Sequence, residues 1–113
     1  MNTKEAIMDS IIYKDSLKLL HTCSNGKRFA ILDILPVPAK EIEYLLDMTP
    51  PTANKHIREL MFVGVIKRDR AGGDIYLTHL GEIFMKKFVE LRQGMKEELM
   101  RGARVNDKKT RCG

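Results

Sequence analysis

The chain has 113 residues, 43% hydrophobic and 31% charged, enough for one domain with a modest core and too apolar for a disordered segment. No run approaches about eighteen consecutive apolar residues, which excludes a membrane-spanning helix, and no basic-then-apolar leader opens the sequence, so a cytoplasmic protein is expected. Twenty Lys and Arg against fifteen Asp and Glu give a net charge of +5, which permits an anionic partner without identifying one.

Residues 3–22 predict a helix. Ile7, Met8, Ile11, Ile12, Leu19 and Leu20 recur mostly at spacings of three and four, with charged residues largely between them. Ser24-Asn25-Gly26 breaks the pattern and supplies a cap for a second helix, residues 27–35, with Phe29, Ile31, Leu32 and Leu35 on its apolar face. Pro36-Val37-Pro38 ends that helix, because proline disfavours a helical predecessor and has no N–H to donate. A short helix over 39–47 turns Ile42, Leu45 and Leu46 to one side. Thr49 and Pro50 then suit the N-cap and first position of a helix running to about Phe62. Its inward set is Ala53, Ile57, Leu60 and Met61, with Thr52, Asn54, Lys55, Arg58 and Glu59 on the polar side, and Gly64 closes it.

The period then changes to two. Residues 65–70 and 74–78 flank Ala71-Gly72-Gly73, a hairpin signal. Thr78 caps a last helix over 79–100, whose Leu80, Ile83, Phe84, Phe88, Leu91, Met95 and Leu99 form one stripe. The remaining residues, 101–113, carry five basic and one acidic side chain, a basic tail expected to lack fixed structure. Four of the five net charges therefore sit in the tail, and residues 49–78 contribute +2. Cys23 and Cys112 are too few for a disulfide framework; an intermolecular bond through Cys112 is chemically open, with a free thiol the simpler reading.

The order of elements is mainly α with a two-stranded β wing. At this point residues 26–78 resemble the winged helix-turn-helix domain of ArsR-type and related archaeal transcriptional regulators. The matching stretches are GKRFAILDIL, EIEYLLDMTPPTANKHIRELMFVGVIKR and the glycine-tipped hairpin ending in YLT; YLTHLGE resembles the LTxxG junction of such regulators. The resemblance implies a DNA-binding core at about 26–78 within a domain spanning 1–100. In that family the second helix of the motif enters the major groove. Thr49, Thr52, Asn54, Lys55 and Arg58 would then face the DNA, Asn54 suiting adenine, with Lys55 and Arg58 open to guanine or phosphate. On the wing, Lys67, Arg68 and Arg70 are candidates for the minor groove or flanking phosphates, with Lys27 and Arg28 as weaker phosphate contacts. Two departures stand out. Asp47 occupies a turn position often held by glycine, where Asp tolerates left-handed geometry. Pro50-Pro51 removes two backbone donors from the helix start.

The last helix is longer than a compact winged domain should cover, and the first has spare apolar surface. Ile7, Ile11, Leu80, Phe84, Phe88, Leu91, Met95 and Leu99 are therefore expected to join two copies through terminal dimerisation helices. Double-stranded DNA and a second copy are the expected partners, the site near-palindromic, and repression by promoter occlusion the expected action. His21, His56 and His79 are isolated, and the family's clustered Cys or His positions are not matched, so no metal or other cofactor is expected. No phosphate-cradling glycine motif or nucleophile elbow is present, so no enzyme is expected. Two alternatives stay open: a winged-helix protein-interaction module, and a non-specific architectural DNA-binding protein attached through its basic tail.

Overall fold

The structure, a computed structural model, describes residues 3–112, with side chains as far as 102. It contains five helices, α1 (Thr3–Cys23), α2 (Gly26–Ile34), α3 (Ala39–Leu45), α4 (Pro50–Phe62) and α5 (His79–Cys112), and three strands, β1 (Val37–Pro38), β2 (Ile66–Arg68) and β3 (Asp74–Leu77). Residues 1–82 and 83–113 form two compact units.

The first break is capped as the residues demand. Ser24 Oγ donates to the His21 carbonyl at the end of α1, and Asn25 Oδ1 accepts from the N–H groups of Lys27 and Arg28 to start α2. Both helices of the central pair close the same way. After α3, Met48 N–H donates to Glu43 O while Asp47 sits at φ 51°; after α4, Val65 N–H donates to Leu60 O while Gly64 sits at φ 84°. Each is a six-to-one closure through one left-handed residue. Asp47 thus keeps the turn, as its tolerance of that region predicts.

Ile31 and Leu32 of α2, Ile42 of α3, Ala53, Ile57 and Leu60 of α4, and Val65, Ile66 and Ile75 around the sheet are all buried. They form the core that seats α4. Cys23 is buried with them, and burial pushes its thiol up to about 11 against the opposing pull of the nearby Arg28. Two residues expected inward are not. Leu45 and Met61 are exposed, Met61 because the core-facing arc of α4 is already filled by Ala53, His56, Ile57 and Leu60.

The sheet departs from the expected two-stranded wing. Val37 pairs with Ile75 and Pro38 with Asp74, so β1 adds an antiparallel third strand in the order β1-β3-β2. The prolines that stop α2 hold the chain extended, the shape that a short edge strand needs. The hairpin itself is shorter than the alternation suggested. Its tip is a turn with Gly73 N–H on Arg70 O and Gly72 at φ 78°. The helix α5 also runs past the expected end at Met100, to Cys112. Two adjoining helices on a buried core, a wing hairpin and flanking helices make this a winged helix-turn-helix fold.

Candidate nucleic-acid interface

The capping of α4 differs from the expected pattern in its hydrogen bonding. Thr49 has N-cap geometry and its carbonyl accepts from Ala53 N–H, but its hydroxyl donates to Thr52 Oγ1 at 2.9 Å instead of accepting from the helix start. Pro51 at the second helical position has no N–H to offer, which leaves the threonine pair as the local solution. Thr52 is half-buried, while Asn54, Lys55 and Arg58 stand exposed on α4.

Two hollows flank this helix. One lies between α4 and the wing, lined by Pro50, Asn54, Ile57, Arg58, Met61, Arg68 and Arg70. It brings together the two polar residues best suited to base edges and the two wing arginines. Arg68 is half-buried, and its Nε is buried without a hydrogen-bond partner among the described residues. Arg70 is exposed at the tip. Lys67 points away from the groove lining as the exposed residue of β2, paired across the ladder with Tyr76. Tyr76 in turn donates to Asp69 Oδ2 at 2.8 Å, an acceptor that holds the phenolic proton on and raises its pKa. That bond gives Asp69, one of the wing's two carboxylates, a partner across the hairpin.

The second hollow, on the opposite flank of α4, has Lys55 and Arg58 on its rim. Lys27 is exposed at the start of α2. Arg28, expected as a phosphate contact, is not available as one. Its guanidinium is ion-paired with Glu59, donates from Nη1 to the Thr22 carbonyl at 3.1 Å and donates from Nε to His56 Nδ1 at 3.3 Å. With its side chain only 16% exposed, Arg28 ties α1, α2 and α4 into one unit. Neither Arg28 nor His56 was legible as a structural pair. They lie 28 residues apart, and a periodic pattern carries no signal for a contact of that kind.

His56 is buried, and burial first, then the Arg28 charge, lowers its pKa, with Lys27 and Lys55 acting in the same direction and Glu59 against it. The neutral ring is what accepts from Arg28. Because the folded-state value lies below the ordinary 6.5, the stabilisation is complete above that value and is lost as pH falls from it toward the folded-state value. Urea unfolding should therefore show stability dropping from pH 7.5 to 5.5. His56→Gln, whose amide oxygen offers an acceptor to Arg28, should lose less over the same range. An identical pH profile for the variant would sink this account.

Six of the eight residues expected to join two copies are exposed. Ile7 and Ile11 on α1, with Met8 and Ile12 beside them, are about half exposed. Leu80 is exposed at the start of α5. In the second unit Phe84 and Phe88 are half-buried and stack with centroids 5.7 Å apart, and Leu91, Met95 and Leu99 continue the stripe exposed. Among the described residues no group of three His, Cys, Asp or Glu side chains comes together to hold a metal, and no helix is long and apolar enough to cross a membrane. Cys112 lies outside the described side chains.

No family model and no curated protein matches the chain. Solved structures do. A winged helix-turn-helix DNA-binding domain from Mycobacterium bovis, Mb0332, described as homodimeric and a possible ArsR-family transcriptional regulator, superposes with a TM-score of 0.68 at 22% identity, covering 88% of this chain and 91% of that one. RV1404 from Mycobacterium tuberculosis gives 0.59 at 15% identity, covering 89% and 81%. A MepR variant from S. aureus, bound to an oligodeoxyribonucleotide, gives 0.53 at 18%, covering 88% and 83%. At these identities the likeness establishes the shared fold.

Proposed function

We propose that this chain is a sequence-specific, double-stranded DNA-binding transcription regulator of the ArsR type. It acts as a homodimer on a near-palindromic site and represses by covering a promoter. The observation that carries the reading is the hollow between α4 and the wing, where Asn54, Arg58, Arg68 and Arg70 converge on one surface. Asn suits adenine and Arg guanine, and arginines beside them suit phosphate or a narrow minor groove. The fold neighbours support it: one is described as a homodimeric DNA-binding domain, and one was solved on an oligonucleotide. The exposed stripes on α1 and α5 supply apolar surface for a second copy. A two-fold dimer would set two recognition helices about one DNA turn, roughly 34 Å, apart.

Selection of bound fragments from a random duplex pool tests this directly, with a recovered near-palindrome expected. On that site Asn54→Ala and Arg58→Ala should each reduce discrimination over a scrambled site by about 1–3 kcal/mol. Arg70→Ala should weaken both sites alike and make the dependence of log affinity on log salt shallower by about 0.9. Two results would overturn the proposal. Absence of any salt-dependent binding would favour a protein-interaction module. Binding that survives Asn54→Ala and Arg58→Ala unchanged but vanishes without residues 101–113 would favour an architectural protein.

A further inference from the structure

The hollow on the other flank of α4 is strongly cationic. Lys18 and His21 reach it from the end of α1, Lys55 and Arg58 from α4, and Arg28 forms part of its lining. Its one carboxylate, Glu59, is already ion-paired with Arg28. Lys18, Lys55 and Arg58 are thus in surplus around a single concavity.

Two of its features are held in place before any ligand arrives. Arg28 is fixed by Thr22, His56 and Glu59. The Lys18 ammonium lies 4.1 Å from the centroid of the Phe62 ring, a cation–π contact that places it at the rim.

We infer that this hollow is a phosphate site, formed by Lys18 and Lys55 beside the base-reading Arg58, that grips the DNA strand opposite the one met by the wing. The inference rests on the DNA-binding reading above. A helix with side chains is about 10–12 Å across and the major groove about 12 Å wide, so an inserted recognition helix has a phosphate ridge on each flank. The wing arginines lie on one flank of α4 and this hollow on the other, and Arg58 borders both. A phosphate offers several oxygens, enough for the two converging ammonium groups.

The test uses the full chain on the selected duplex and on a scrambled one. Lys18→Gln should lower affinity for both by the same factor, about fivefold near 0.15 M salt, with the salt dependence shallower by about 0.9. Lys18→Arg should restore both, and Lys55→Gln should reproduce the uniform loss. Unchanged affinity and slope in Lys18→Gln and Lys55→Gln, while Asn54→Ala still loses discrimination, would overturn this site and leave the regulator reading standing. If the unaltered chain binds no duplex, that reading falls, and titration with inorganic phosphate at constant ionic strength decides the hollow. Thermal stabilisation over chloride that Lys18→Gln abolishes would retain it as a site for a free phosphate. No difference from chloride would overturn it.

Discussion

Gly81→Ala should destabilise the protein by about 3 kcal/mol, lowering the thermal midpoint by roughly 10 °C. An added Cβ at this position would lie 2.1 Å from the Val65 carbonyl oxygen and 3.0 Å from its carbon, both backbone atoms that no rotamer change can move. The close approach follows from Thr78. Its N–H donates to Val65 O at 3.0 Å, its hydroxyl donates to Gly64 O at 2.5 Å, and the same oxygen accepts from Gly81 N–H at 3.1 Å. One threonine thus caps α5 and binds its first turn against the loop that leaves α4, and only a residue without a side chain fits between. Gly94 is the internal control. It lies in the exposed part of α5, where an added Cβ would meet nothing within 4 Å, so Gly94→Ala should raise stability by about 0.5–1 kcal/mol through helix propensity alone. Equal and small effects at the two glycines in urea unfolding would contradict the packing account.

Arg28→Ala should cost about 2–3 kcal/mol, chiefly because it strands acceptors. The Thr22 carbonyl and His56 Nδ1 lose the donor they share, and His56 is only 8% exposed. The ion pair contributes less than its geometry suggests, since Glu59 is 36% exposed and water screens it. Arg28→Lys should recover little, because one ammonium cannot serve three partners in the directions that a planar guanidinium reaches. The loss should also change the pH profile. Without the neighbouring guanidinium, His56 should protonate at higher pH than in the unaltered chain, which its ring resonances in NMR would report. A stability within 0.5 kcal/mol of the starting protein, about the scatter of ordinary surface substitutions, would show that Arg28 is not a hub.

The local chemistry of the chain was legible without the fold. Ser24 and Asn25 mark a junction because their side chains reach only nearby backbone, and both make those short bonds. Asp47 and Gly64 mark helix ends because few residues accept a left-handed backbone, and both adopt it. Alternation, stripes and Gly72-Gly73 located the helices and the wing for the same reason: each depends on residues close in the chain. The candidate α4 residues followed from the periodicity of one helix and from the family resemblance.

What reached across the chain was not legible. Val37-Pro38 read as a helix stop, and only the position of Ile75 turns it into a strand. Arg28 read as a surface cation because its type is usually exposed, until Thr22, His56 and Glu59 surrounded it. Met61 read as core until four other α4 residues filled the arc that faces inward. By itself the sequence determined the five helices, most of their ends, the place of the hairpin and the polar face of α4, since these depend on bonds and periods spanning a few residues. The tertiary structure alone decided which cations remain free for a ligand and which hollow each one borders, because burial and pairing depend on partners distant in sequence.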